Sequence, residues 1–479
     1  MNYPMISQIL ARAVGIEAGL LLLPMAVATF YGESRNGFFL AAATAIILFV
    51  LLRLVHPKKM TIYAREGFTS VTLSWVLLSL IGAIPLYVDG NLSYVDALFE
   101  TVSGFTTTGA SILSEGPQML GKGLLFWRSF THWLGGMGVL IFMMAVLPMA
   151  EDRSMHIMRA ETNGPIAGKL VPHIRQSSMI LYIIYIGMTL LEIVVLKVAG
   201  LSLYDAVIHA FGTACTGGFS NYNLSVGQFN SPVVDLIISL FMLAFAVNFN
   251  LYYMFFIRKI KNIFCNEELW WYLGMVAFAT ITITVNIYHL YGTALHSLRY
   301  AFFQVVSIIT TTGFVTADFS HWPEFSQWML VILMFTGACA GSTSGGIKIA
   351  RFIILGKTVS NEIRRLLRPR SFTQVRLNNA VVDRDTVHST LVYIYIYFFM
   401  MGLVCLLLSL ENLDFTTVFT AAVSCLSNIG PGLSLVGPYG GFDVFSDAGK
   451  LLLTFCMLVG RLQIYPVLLT LAAFFQKQK

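Results

Sequence analysis

Charge is scarce in this chain. Of 479 residues only 30 are Lys or Arg and 24 are Asp or Glu, against 57% hydrophobic residues and a mean hydropathy of +0.75. A soluble globule of this length cannot hide that much apolar surface, so the composition excludes a water-soluble enzyme and points to an integral membrane protein. Cysteine is sparse as well. Cys215, Cys265, Cys339, Cys405, Cys425 and Cys456 are scattered, with no CxxC spacing and no histidine pairing. They read as small hydrophobes, not as zinc ligands. No HExxH or GxSxG string occurs, which removes the usual constellations of an intramembrane enzyme. The N-terminus carries Arg12 inside its apolar stretch and no small-residue cleavage site, so the first helix is expected to stay in the protein.

Long apolar runs are what the chain has in abundance. Windows of roughly 20 residues, enough to cross about 30 Å of hydrocarbon, select ten spans. They lie near 9–30, 37–55, 68–88, 126–148, 177–199, 232–257, 270–291, 326–355, 388–410 and 447–474. Four of the connections between them open with about ten moderately apolar residues, too few to span and better read as re-entrant helices.

Lys and Arg set the orientation. Most of them fall in 53–66, 153–175, 258–261, 348–384 and the tail with Lys477 and Lys479, whereas the alternate loops hold Arg35, Lys122, Arg128, Lys197, Arg299 and Lys450. The positive-inside rule then predicts cytoplasmic termini. The net charge of +6 is a topology signal, not a nucleic-acid signature. Arg364, Arg365, Arg368, Arg370 and Arg376 are placed to meet anionic membrane lipid or an acidic partner.

Each short helix runs into a polar turn ending in glycine. The turns are Thr106-Thr107-Thr108-Gly109, Cys215-Thr216-Gly217-Gly218, Thr310-Thr311-Thr312-Gly313 and Ser427-Asn428-Ile429-Gly430. Asp96 and Asp205 stand at the same distance before their glycines and read as helix N-caps. Four units with the same topology predict parallel repeats around an axis normal to the membrane. The expected fold is an all-α polytopic membrane protein with about ten transmembrane helices. Two N-terminal helices (1–66) precede repeats at 67–175, 176–266, 267–387 and 388–479.

Non-helical backbone at membrane depth is tolerated where it lines a water-filled path, and there its carbonyls can replace the water around an ion. A half-helix stopping midway also aims its negative dipole end at the centre, which favours a cation. For any single turn, close helix packing by small residues is an equally good account. Packing does not require four recurrences after matched short helices. In the eighth span, Gly337 and the run Gly341-Ser342-Thr343-Ser344-Gly345-Gly346 predict a helix break near the midplane.

The strings Trp127-Arg128-Ser129-Phe130-Thr131-His132-Trp133-Leu134-Gly135-Gly136-Met137-Gly138, Gly341 to Lys348 and Gly460-Arg461-Leu462, with the four turns, resemble the TrkH/TrkG/KtrB superfamily of bacterial potassium uptake systems. The resemblance covers essentially the whole chain, and the two extra N-terminal spans suit its TrkH branch. It implies K⁺ as the transported ion, with no organic cofactor, passing through the centre of one subunit in the bacterial inner membrane. It also implies a homodimer, regulated by a cytosolic TrkA-like subunit that binds a nucleotide of the NAD or ATP class.

By the same resemblance, the selectivity filter falls on Thr107, Thr108, Gly109, Thr216, Gly217, Gly218, Thr311, Thr312, Gly313, Asn428, Ile429 and Gly430. The gating loop falls on Gly341, Ser342, Thr343, Ser344, Gly345 and Gly346, with Lys348 and Arg461 beside it. Gln463 stands where the family commonly has glutamate.

Several polar residues carry two readings. Arg461 either bonds to the broken helix or faces the pore and repels cations. Lys348 either supports the loop or snorkels to the cytoplasmic surface, the blander account. Glu100 is read as a solvated face near the outer mouth, His132 as a packing residue, and Asn248 and Asn250 as interhelical bonds or pore lining. A cation-coupled symporter, the alternative function, needs carboxylates at the midplane, and Glu192 is one of few candidates.

Overall fold

The structure is a computed structural model that describes residues 1–56, 64–114, 116–138, 174–370, 373–378 and 380–475. Two helices, α1 (Tyr3–Leu20) and α2 (Leu22–Phe30), form the first span, and α3 (Asn36–Arg53) forms the second. The third begins with α4 (Ala64–Gly82). Outer helices are inside-out by soluble standards. Ile183, Leu190 and Val194 on α7 (Ile174–Val198) and Phe278, Ile281 and Val285 on α11 (Glu267–Asn286) are exposed, a face suited to hydrocarbon. The same holds for Tyr395, Phe399 and Leu406 on α15 (Arg384–Leu408).

The four short helices are α5 (Tyr94–Phe105), α8 (Leu203–Ala214), α12 (Ala294–Ile309) and α16 (Phe415–Ser427). Their N-termini are held by side-chain caps. Ser93 accepts from Asp96 N at 3.1 Å, Ser202 from Asp205 N at 3.0 Å, Thr293 from His296 N at 3.4 Å and Asp414 from Thr417 N at 3.0 Å. Asp96 and Asp205 are therefore not the caps that the sequence suggested. They sit three residues inside, where each carboxylate accepts from the capping serine hydroxyl.

Each short helix is followed by a second-span helix, and these differ from expectation. Three were read as continuous. The helix α6 (Lys122–Gly136) stops at a glycine-rich corner, where Gly138 has φ +79°. The sixth span is two helices, α9 (Pro232–Phe245) and α10 (Phe249–Phe256), bent by 88°. The tenth is α17 (Asp447–Arg461) and α18 (Tyr465–Phe475), bent by 111°. At that bend Gln463 and Ile464 both take positive φ, of +56° and +65°, a strained geometry for a β-branched residue.

Only the eighth span was expected to break. It does so between α13 (Glu324–Phe335) and α14 (Ile349–Leu367), where β1 (Thr336–Gly337) pairs in parallel with β2 (Ile347–Lys348) and pinches off a loop. The expected rest of the fourth span, most of the 153–175 basic stretch, Lys477 and Lys479 lie outside the described residues.

Candidate functional site: a ring of four turns above a pinched loop

At the end of α5, Thr107 N donates to Gly104 O at 3.0 Å and Thr108 N to Ser103 O at 2.9 Å, the paired bonds of a Schellman motif. The same bonds recur from Thr216 to Thr213 and Gly217 to Gly212, and from Thr311 to Ile308 and Thr312 to Ser307. The left-handed position of this motif usually belongs to glycine. Here Thr107, Thr216, Thr311 and Asn428 hold it, at φ of +55°, +55°, +57° and +56°. Two residues later Gly109, Gly218, Gly313 and Gly430 are again at positive φ. Three threonines in this region are strained backbone, of the kind that persists where surrounding structure and function require it.

These doubled turns meet one another in cyclic order. A Cβ on Gly109 would overlap the carbonyl oxygen of Gly217, one on Gly218 that of Thr312, and one on Gly313 that of Ile429. A Cβ on Gly430 would lie 2.9 Å from the carbonyl oxygen of Thr108, which closes the circle. Each glycine thus packs against the carbonyl just before the next repeat's glycine. The carbonyls of Thr107, Thr108, Thr216, Gly217, Thr311, Thr312 and Ile429 accept no hydrogen bond among the described residues. Unpaired carbonyls in buried residues call for another partner, and a desolvated cation is the natural one. All four terminal glycines line one open cleft of about 80 Å³.

The turns are braced from behind by a residue class that the sequence reading underweighted. Six residues before the first residue of each of the first three turns stand Glu100, His209 and Gln304. Glu100 accepts from Ser111 Oγ at 2.5 Å, Ile112 N at 2.9 Å and Arg128 Nε at 3.0 Å. His209 Nε2 pairs with Ser220 Oγ at 3.1 Å. The Gln304 amide, turned with its oxygen toward the chain, accepts from Thr316 N at 2.8 Å. Each side chain therefore holds the strand that leaves its own glycine.

Glu100 is fully buried and ion-paired, so its reading as a solvated face is corrected. Arg128 also donates to Ser220 O at 3.0 Å and lies 3.5 Å over the Phe219 ring, which ties the first turn to the second. His132 stacks on the same ring at 3.9 Å, as a packing residue would.

The pinched loop reaches the ring directly. Gly345 N donates to Thr311 Oγ1 at 2.8 Å, and a Cβ on Gly345 would lie 2.5 Å from Ser427 O. The loop also fills the bend of the sixth span. Cys339 N donates to Ala246 O at 3.2 Å, Phe249 N to Gly341 O at 3.1 Å, and Thr343 Oγ1 to Phe245 O at 3.3 Å. Asn248 caps α10, accepting from Asn250 N at 2.9 Å, and its amide faces Gly341. Ser342 Oγ shares a 2.8 Å bond with Ser344 Oγ, and Gly346 turns the chain with φ +65°.

Arg461 is buried, with Nη1 2.8 Å from Thr343 O and Nη2 2.6 Å and 2.7 Å from Gly135 O and Gly136 O. Of its two readings, the structure displays the bonds to the broken helix. The loop, the end of α6 and the end of α17 therefore share one guanidinium. Arg351 Nη2, on α14, donates to Gln463 Oε1 at 2.6 Å, so the residue that replaces the family's glutamate is still engaged.

Lys348 does not snorkel. It is wholly buried, and its Nζ donates to the carbonyl of Ser344 and, at 2.8 Å, to Ser344 Oγ. A two-residue strand pair holds its backbone at depth, where the loop's carbonyl is the nearest acceptor. The sequence reading also missed Glu268 on α11, whose Oε1 accepts from Ala340 N at 2.7 Å and Ala350 N at 3.1 Å and so clamps both ends of the loop. An acid at the start of an apolar span is the signal that could have found it.

Comparison with known proteins identifies the family and the fold. Residues 34–478 match the TrkH family, described as cation transport proteins. The chain belongs to the TrkH family. It is 34% identical over 469 residues to the Trk system potassium uptake protein TrkG of Escherichia coli K12, covering 95% of each chain. To TrkH of the same organism it is 32% identical over 490 residues, covering all of both. Its fold matches the crystal structure of the potassium transporter TrkH from Vibrio parahaemolyticus with a TM-score of 0.88 and 29% identity, covering 99% of this chain and 100% of that one. TrkH family membership makes the chain a polytopic membrane transport protein, not an enzyme.

Proposed function

We propose that the chain takes up K⁺ across the bacterial inner membrane through the ring of four turns. The carrying observation is the closed cycle of glycine-to-carbonyl contacts, with unpaired carbonyls in each turn. Thr107, Thr108 and Gly109 with their counterparts in the other three repeats form the filter, and the ion exchanges hydration water for their carbonyls. The four half-helices aim their negative dipole ends at it, and an interior-negative potential drives the ion inward by about 2.3 kcal/mol per charge per 100 mV.

Gly341 to Gly346 act as the gate, held shut by Lys348 and Arg461. Because the loop bonds simultaneously to the ring, to the bend of the sixth span and to Arg461 at the end of α17, a shift of α14 would move it. The basic segment after α14 is the natural point for a cytosolic nucleotide-binding regulatory subunit to act. Both termini are cytoplasmic in this reading, and two copies pair as a homodimer.

Rubidium uptake into cells that lack their own potassium transport tests the ring. The wild-type chain should restore uptake and Gly313→Asp should not; equal uptake by both, at matched membrane levels, rejects the filter. Voltage-clamped recording of purified protein separates a channel-like path from an ion-coupled one, because coupling displaces the reversal potential from that of K⁺ alone.

A further inference from the structure

The helix α1 stands outside the four repeats, yet it carries a carboxyl toward the first of them. Glu17 is 3% exposed, and among the described residues neither of its carboxylate oxygens has a hydrogen-bond partner. It borders a void of about 10 Å³, room for about one water, whose other walls are Ala13, Ile16, Leu20, Leu78, Phe105 and Leu134. An ionised carboxylate without a partner in such hydrocarbon is far more costly than the neutral acid. The wall residue Phe105 ends α5 and directly precedes the first turn of the ring.

Among the described residues, no opposing charge lines the void. The other titratable or charged groups on the elements around Glu17 are Tyr3 and Arg12 on α1, Arg53 on α3, Arg65 and Glu66 on α4, Tyr94, Asp96 and Glu100 on α5, and Lys122, Arg128 and His132 on α6. None of them lines the void. Arg12 and Arg53 are exposed, and Glu100 and Arg128 are spent on each other.

We infer that Glu17 is a proton-binding site that controls the first turn of the ring. With its proton, the carboxyl fits the void. Without it, the charge must draw in more water than the void holds, and Phe105 and Leu134 are the walls that yield. There is little slack on that side, because a Cβ on Gly135 would already overlap the carbonyl of Phe105, and Thr106 follows directly. Loss of the proton therefore displaces the Thr106 to Gly109 turn and lowers ion flux.

Two measurements on the full chain in lipid test this. In infrared spectra, the difference between wild type and Glu17→Gln should contain the carbonyl stretch of a protonated carboxylic acid at about pH 7; carboxylate bands in its place overturn the proposal. Taking the difference isolates Glu17 from Glu192, a second carboxyl buried in a span. Rubidium flux into liposomes is compared across rising pH, and for wild type it should fall several-fold at the pH where the protonated-acid band is lost. Glu17→Gln, and Glu17→Leu as a second neutral variant, should hold their flux over that range. Parallel pH profiles in wild type and both variants overturn it. Absence of flux at every pH counts against the potassium reading instead, and the infrared arm still decides the proton.

Discussion

The hydroxyl of Thr311 accepts a 2.8 Å hydrogen bond from the backbone nitrogen of Gly345. This is a side-chain link between a ring turn and the loop beneath it. A net hydrogen bond of this kind contributes about 0.5–1.5 kcal/mol. Thr311→Val keeps the shape and removes the acceptor, so it should loosen the loop and raise rubidium flux roughly twofold to tenfold in the absence of any regulatory subunit. Flux at or below wild type, in a variant with normal assembly and thermal stability, would show that this link does not restrain the loop.

The four ring glycines should not be equally sensitive. Cβ atoms on Gly109, Gly218 and Gly313 overlap a neighbouring carbonyl oxygen, whereas on Gly430 the separation is 2.9 Å. Alanine at the first three should abolish rubidium uptake, while Gly430→Ala should retain a measurable fraction. Identical loss at all four positions would contradict the unequal spacing of the ring.

Arg461 separates two roles through a single conservative change. Lysine keeps the charge but lacks the planar fork that reaches Thr343 on one side and Gly135 and Gly136 on the other. Arg461→Lys should therefore lower the thermal unfolding midpoint and raise unregulated flux. A residue that acted only by its charge in the pore would leave Arg461→Lys with wild-type conductance.

The Glu100 and Arg128 pair is buried at 0% and 3% side-chain exposure, so removing either partner leaves a charge without its counterion. Glu100→Gln or Arg128→Met alone should destabilise by about 3–5 kcal/mol, and the double variant by less than the sum. Thermal unfolding of the detergent-purified protein reads this out. Additive losses would mean that the two residues do not act as a pair.

Spans, short helices and glycine turns could be read along the chain because apolar run length and glycine placement are local properties. Gly345 and Gly346 signalled the break in the eighth span for the same reason. The bends at 246–248 and 462–464 carry weaker marks. Asn248 and Gln463 are single polar residues in apolar runs, and only contact with the pinched loop and with Arg351 shows why the helices must turn there. Lys348 and Glu100 were misplaced because depth and partners are set by distant segments. A lysine near a span end looks free to reach water until a strand pair and Ser344 hold it inside.

Sequence alone determined that this chain lives in a membrane, that it repeats one unit four times, and which glycines end each unit, since hydrophobic length and backbone freedom belong to residues taken singly. Tertiary structure alone decided that threonine and asparagine adopt the left-handed corner of each turn. It also decided that each glycine closes on the carbonyl of the next repeat, and that one guanidinium joins the loop to two helix ends. Those relations pair residues as far apart as Thr108 and Gly430, and only the folded ring brings them within contact.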